Sequence, residues 1–231
     1  MIADALQAEM IAQAARARRE NPLLVAAADG TLTAEQVTHY LVNVRRILEN
    51  TPTFLAKAHA RALAVGDLAL AAHFLHKAEE EEGHAEWAEN DVVSMMDRVS
   101  VAREDIVPAA QELMDLTLSV VDEDPGLLLA YMFFNESLIV LVGDDALSNL
   151  ESRCGVPRSS MTAIDHHITL DRDHVDEALA TIDNLVPDPR KLPRMREIVR
   201  ECFAIFDRFG AQITEEGHVR RHEHAVHAPA A

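Results

Sequence analysis

Basic residues are scarce in this chain: 21 Lys and Arg stand against 39 Asp and Glu, a formal net charge of −18 with His neutral. A surface of that sign repels phosphate backbones, which excludes nucleic acid as a partner. Cysteine is nearly absent. Cys154 and Cys202 are the two in the chain, too few for a disulfide framework, and a reducing cytoplasm is the expected setting. Glycine numbers 8 in 231 residues, unlike a turn-rich sheet protein. The longest strongly apolar stretch, Leu127 to Phe134, is too short for a bilayer. The first residues, Met1-Ile2-Ala3-Asp4-Ala5, lack the basic flank and apolar run of a signal peptide, so no membrane association is expected.

What remains is helix-forming. Nearly half the residues are apolar, enough for a sizeable core, and Ala, Leu, Glu and Arg dominate. Periodicity and breakers predict seven helices, at about 2–20, 33–65, 67–97, 108–122, 124–151, 159–185 and from 194 to beyond 214. Asn21-Pro22 ends the first. Thr33 and Gln36 form a capping-box pattern, Pro52 kinks or restarts the helix they open, and Asp67 can cap the next. Asp124-Pro125 is an N-cap followed by proline. The helix it starts is apolar nearly all round, which predicts the most buried element. The expectation is one all-α domain over residues 1–216, its neighbouring helices mostly antiparallel. Residues 217–231 form a His-rich C-terminal tail in which His218 and His222 are four apart, read as a solvated terminus.

The chemistry concentrates on three of these helices. His167, Asp171 and His174 stand at i, i+4 and i+7, so their side chains share one helical face. His166 points about 100° away from it. Glu81 and His84 are at i, i+3, predicted on one face of the 67–97 helix. Glu136 lies in the apolar run Tyr131 to Val140, where a carboxylate without a partner is costly. Taken singly, each has a plainer reading: Glu79–Glu82 as a solvated acidic face, Glu136 paired with Arg45 or Arg46, and the 167–174 triplet as surface polarity. Together they supply three carboxylates and three imidazoles, a donor set suited to iron or manganese, while the lack of a Cys cluster argues against structural zinc. Glu80 could replace or assist Glu81. Glu49, beside Pro52, is a further ligand candidate or a base facing the substrate.

At these residues the sequence resembles the haem-oxygenase-like diiron oxidases and oxygenases, whose seven-helix fold is shared with the TenA thiaminases and the PqqC oxidase. The resemblance runs from about Thr33 to Leu185. It includes Tyr40-Leu41, Thr51-Pro52, Leu55-Ala56 and Glu82-Gly83-His84-Ala85-Glu86-Trp87. It implies two irons, with manganese as the substitute, held by Glu81, His84, Glu136, His167, Asp171 and His174. It further implies O2 as co-substrate, a small organic substrate (fatty acid, amino acid or amine), an electron donor and a homodimer. A metal-independent helical ligand-binding protein is the alternative, as is a TenA- or PqqC-like enzyme without a di-metal site. Neither Cys154, near a loop, nor Cys202, on the last helix, is well supported as a thiaminase-type nucleophile. Tyr40 and Tyr131 are read as core or pocket lining, and Trp87 as packing.

Overall fold

The computed structural model describes residues 1–99 and 101–226, with side chains described through residue 215. The elements are α1 (Ile2–Glu20), α2 (Pro22–Asp29), α3 (Ala34–Ala64), α4 (Leu68–Glu80), α5 (His84–Met96), α6 (Pro108–Glu123), α7 (Leu128–Cys154), α8 (Thr162–Leu185) and α9 (Leu192–Val226), with single 3-10 turns before α7, α8 and α9. Among the described residues there is no strand. The all-α expectation holds, but seven helices were too few. A short α2 stands apart from α1, and the helix expected over 67–97 is divided at residues 81–83. The tail expected over 217–231 lies outside the described side chains, although the backbone of α9 continues to Val226.

Local chemistry explains most boundaries. The Asn21 side chain accepts from the Leu23 and Leu24 N–H groups and caps α2, with Pro22 at its first position. Thr33 and Gln36 form the capping box of α3. Pro52 sits within α3 without ending it, at the cost of one donor to the helical ladder. Asp67 caps α4 by accepting from the Leu70 N–H. Gly83 ends the break between α4 and α5 with φ +91°, a backbone region that favours glycine.

The apolar helix α7 is the axis of the molecule. It packs along α8 and also meets α1, α2, α6 and α9. The Pro125–Cys154 segment is long and apolar enough to cross a membrane by length and composition, which corrects the expectation that no stretch is long enough. In this fold it is the core helix instead: Phe133, Leu128 and Ala130 are fully buried, and Phe134 meets Phe203 of α9 edge-on. The approach to α8 is close. A Cβ at Gly143 would stand 2.7 Å from Ile168 Cγ1. On the opposite side, α1 is clasped to α9 by Glu9, which is buried and accepts from both Arg196 and Arg200. Helices α4 and α5 lean on α3, and α5 also meets α8. The ends of α4 and α5 therefore face α8 beside the polar part of α7.

Candidate metal centre

The break between α4 and α5 falls within the predicted ligand pair. Glu81 is the residue that closes α4 and His84 is the first residue of α5, so the two do not share the face of one continuous helix. The turn nonetheless brings them together, with Glu81 Oε2 3.2 Å from His84 Nδ1. From α8, His167 joins them: one ligand atom from each of Glu81, His84 and His167 lies within 4.8 Å of the others. The His84 and His167 rings meet edge to face at 4.9 Å between centroids.

The His167 Nδ1 is 2.6 Å from the Ala163 carbonyl oxygen. A carbonyl only accepts, so Nδ1 is the donor there and Nε2 is the ring atom left for a metal. One turn on, Asp171 is buried and pairs with His174, Oδ1 to Nδ1 at 3.1 Å. Asp171 lines the same cavity as Glu81, Glu136 and His167, whereas His174, its hydrogen-bond partner, is not among the lining residues. His166 is exposed and lies edge-on to Trp87 at 4.7 Å. Trp87 itself stacks on His84 at 4.4 Å.

Glu136 brings the third carboxylate to this place. Burial first, then the Asp171, Glu81 and Glu80 carboxylates, push its pKa up to about 8 against the pull of Lys77. Its Oε2 is buried with no hydrogen-bond partner among the described residues. Asp171 is raised too, chiefly by burial and in part by Glu81, although His167 and His174 oppose the shift. Carboxylates crowded and desolvated in this way are relieved by a proton or by a bound cation.

Neither suggested arginine supplies it. Arg45 pairs with Glu89 at 2.8 Å and reaches Glu49 at 3.6 Å, and Arg46 also reaches Glu49. Those pairs occupy Glu49, which is absent from the cavity lining. The nearby cation is Lys77, a residue the sequence reading missed. Its Nζ is 2.8 Å from Glu80 Oε2 and 3.9 Å from Glu136 Oε1. The available signal was spacing: Lys77 precedes Glu80 by three residues and Glu81 by four on α4. Glu80 is held by Lys77 and by His76 at 3.1 Å, so it stands beside the centre, tied to α4.

A second missed residue is Asp91 on α5, 1% exposed. It accepts from the Thr162 N–H at 2.9 Å, the Thr162 hydroxyl at 2.7 Å and the Ala163 N–H at 2.8 Å. It thereby caps α8 from a neighbouring helix. The usual N-cap signal lies within a few residues of the helix it serves; this cap comes from far away in the sequence.

The cavity is about 260 Å3 and runs from the carboxylates between α2, α3, α6, α7 and α9. Leu24, Ile47, Leu113, Leu138, Ile139 and Phe206 typify its walls, and among the described residues no Lys or Arg lines it. Tyr40 and Tyr131 both line it, and burial pushes both phenols up to about 12. Cys202 faces it as well, with a thiol that burial pushes well above its ordinary range.

Among solved structures, a domain of unknown function with a heme oxygenase-like fold from Shewanella denitrificans superposes with a TM-score of 0.83, at 17% identity over 94% of each chain. The chain has the haem-oxygenase-like fold. A TenA homologue from Pyrococcus furiosus matches with a TM-score of 0.72 at 17% identity, covering 92% of this chain and all of that one. A CADD-like protein of unknown function from Nostoc punctiforme gives 0.68 at 13% identity, covering 92% and 98%. No family model matches the sequence, and no curated protein does. At these identities the likeness carries the architecture, and the chemistry rests on the side chains. Within the haem-oxygenase-like fold, the oxygen and nitrogen donors at the α4–α5 break and on α7 and α8 fit iron or manganese. The partnerless Oε2 of Glu136 is the feature that a bound cation would satisfy.

Proposed function

We propose that the protein is a non-haem diiron oxidase or oxygenase acting on a small, largely apolar organic substrate. The observation that carries this reading is the convergence of Glu81, His84 and His167 from separate helices, with ligand atoms within 4.8 Å of one another. The reading assigns Glu136, Asp171 and His174 as the other three of six ligands. Manganese is the substitute metal. Two divalent ions bound there would supply the electrons and coordination positions needed to activate O2.

The chain's own contributions follow from its geometry. The Ala163 carbonyl orients His167 so that Nε2 is the ligating atom. His174 and Asp171 orient each other. Apolar walls exclude water from the substrate and offer an acyl or aromatic group a dry surface. Three carboxylates against two divalent ions leave a cationic centre, open to a neutral or anionic substrate group. A small-molecule substrate, an electron donor, a cytoplasmic setting and a homodimer belong to this proposal.

The test is anaerobic Fe(II) addition followed by O2. Near two irons per chain and a transient visible absorbance are expected. Iron binding that survives both His167→Ala and Glu136→Ala would defeat the reading.

A second reading, a metal-independent TenA-like enzyme, is favoured by one observation: Cys202 faces the cavity. The raised thiol makes it a poor nucleophile as it stands. This alternative requires activity that Cys202→Ala abolishes and a chelator spares.

A further inference from the structure

A second pocket, of about 320 Å3, lies on the other side of Glu136. It is bounded by α4, α7 and α8, and its polar groups are His73, His76, Lys77, Glu80, Glu136 and Glu177. Glu136 and Met132 line both this pocket and the apolar cavity, so they form the partition between the two spaces.

The pocket is graded from outside to inside. His76 is 67% exposed, and Glu177 and Ala180 are exposed on α8. Lys77, at the floor, is 7% exposed. Glu80 and Glu177 outnumber the one ammonium of Lys77, within a chain of net charge −18, so the pocket attracts cations. Burial above all, with Lys77 and His76 assisting, lowers the His73 pKa to about 4. Its imidazole therefore keeps a lone pair at neutral pH.

We propose that this polar pocket is the port by which a hydrated divalent cation reaches the Glu81–His84–His167 centre, displacing Lys77 from Glu136 as it arrives. The inference rests on the di-metal reading above. A divalent ion gives up its water only when other donors replace it. The apolar cavity offers almost none along its length. The polar pocket offers imidazole and carboxylate donors from its mouth to Glu136, which also lines the apolar cavity together with Glu81 and His167. Lys77 already sits where a cation is needed, 2.8 Å from Glu80 and 3.9 Å from Glu136. An ion of twice its charge competes for the same oxygens with the larger Coulomb term. Lys77 is thus a positioning residue, holding the two carboxylates until metal replaces it.

The test is stopped-flow mixing of metal-free protein with Mn2+, read through Trp87 fluorescence, alongside the metal content at equilibrium. Ala180→Phe narrows the mouth, Glu177→Lys reverses its charge, and Thr51→Phe narrows the apolar cavity instead. The two mouth positions are exposed, so both variants should fold, as circular dichroism will check. The port predicts loading at least tenfold slower in Ala180→Phe and Glu177→Lys, with unchanged final metal content, and an unchanged rate in Thr51→Phe. Wild-type loading rates in both mouth variants, or slow loading in Thr51→Phe, would overturn the port and leave the metal centre standing. No Mn2+ bound by the wild type at equilibrium would overturn both.

Discussion

Asp91 and Ala163 tie the two ligand-bearing helices α5 and α8 together, through a 2.8 Å hydrogen bond from the Ala163 N–H to the Asp91 carboxylate. Asp91 lies seven residues after His84, two turns along α5 and on the same face. Ala163 lies four residues before His167 and receives its Nδ1–H. The buried carboxylate therefore sets the offset between His84 and His167. Asp91→Ala leaves the first N–H groups of α8 without their acceptor. We predict a loss of about 2–3 kcal/mol in chemical denaturation. Metal affinity should fall roughly 10–100-fold, as when outer-shell partners are lost. A variant that retains wild-type affinity would show that the cap does not position the centre.

Trp87 is the one tryptophan in the chain, stacked on His84 at 4.4 Å. A paramagnetic ion on His84 lies close to the indole. Adding Fe(II) or Mn(II) anaerobically should therefore quench intrinsic fluorescence in proportion to occupancy, and a chelator should restore it. His84→Ala should abolish the response. Quenching that persists in that variant would place the ion elsewhere.

Acid stability should report the clasp between α1 and α9. The Arg200 guanidinium, opposed by burial and assisted by Arg196, lowers the Glu9 pKa from 4.5 to about 2. A depressed carboxylate contributes stability that is complete above about pH 4.5 and is lost as pH falls through about 2. Arg196 and Arg200 are 42% and 53% exposed. Solvent screening at those arginines limits the contribution to about 1–2 kcal/mol. The stability difference between wild type and Glu9→Gln, measured from pH 6 to pH 2, should shrink toward zero at the acid end. A difference independent of pH would show that the ionised group contributes nothing.

Gly210 allows α9 to approach the start of α2. A Cβ there would stand 2.7 Å from Asn21 Oδ1 and 3.0 Å from the Leu23 nitrogen. Those atoms belong to the α2 cap, and the Asn21 side chain also donates to the Phe206 carbonyl. Gly210→Ala raises helix propensity by about 1 kcal/mol, yet the clash should outweigh that gain. We expect a net loss of about 1–2 kcal/mol in thermal or urea unfolding. A stabilised variant would mean that α2 yields at little cost.

The helical class and most boundaries were legible in the sequence because caps and breakers act within three or four residues. Thr33 with Gln36, Asn21 with Pro22, and Asp67 all behave in the structure as their positions indicate. The break at 81–83 was not legible: Glu79–Glu82 reads as continued helix, and Gly83 alone does not announce a positive φ. The preference for His167 over His166 follows from helical periodicity, and His167 lines the cavity while His166 is exposed. Lys77 and Asp91 escaped notice because their roles depend on partners brought near by folding, Glu136 on α7 and the start of α8. Arg45 does not pair with Glu136 for the same reason, since folding brings Glu89 to it at 2.8 Å.

The most direct test of the account is a metal count on protein loaded anaerobically with Fe(II), comparing wild type with His167→Ala and Glu136→Ala. The account predicts near two irons per wild-type chain and a marked loss in both variants, each retaining its helical circular dichroism. Iron bound equally by all three proteins, or by none, would contradict it.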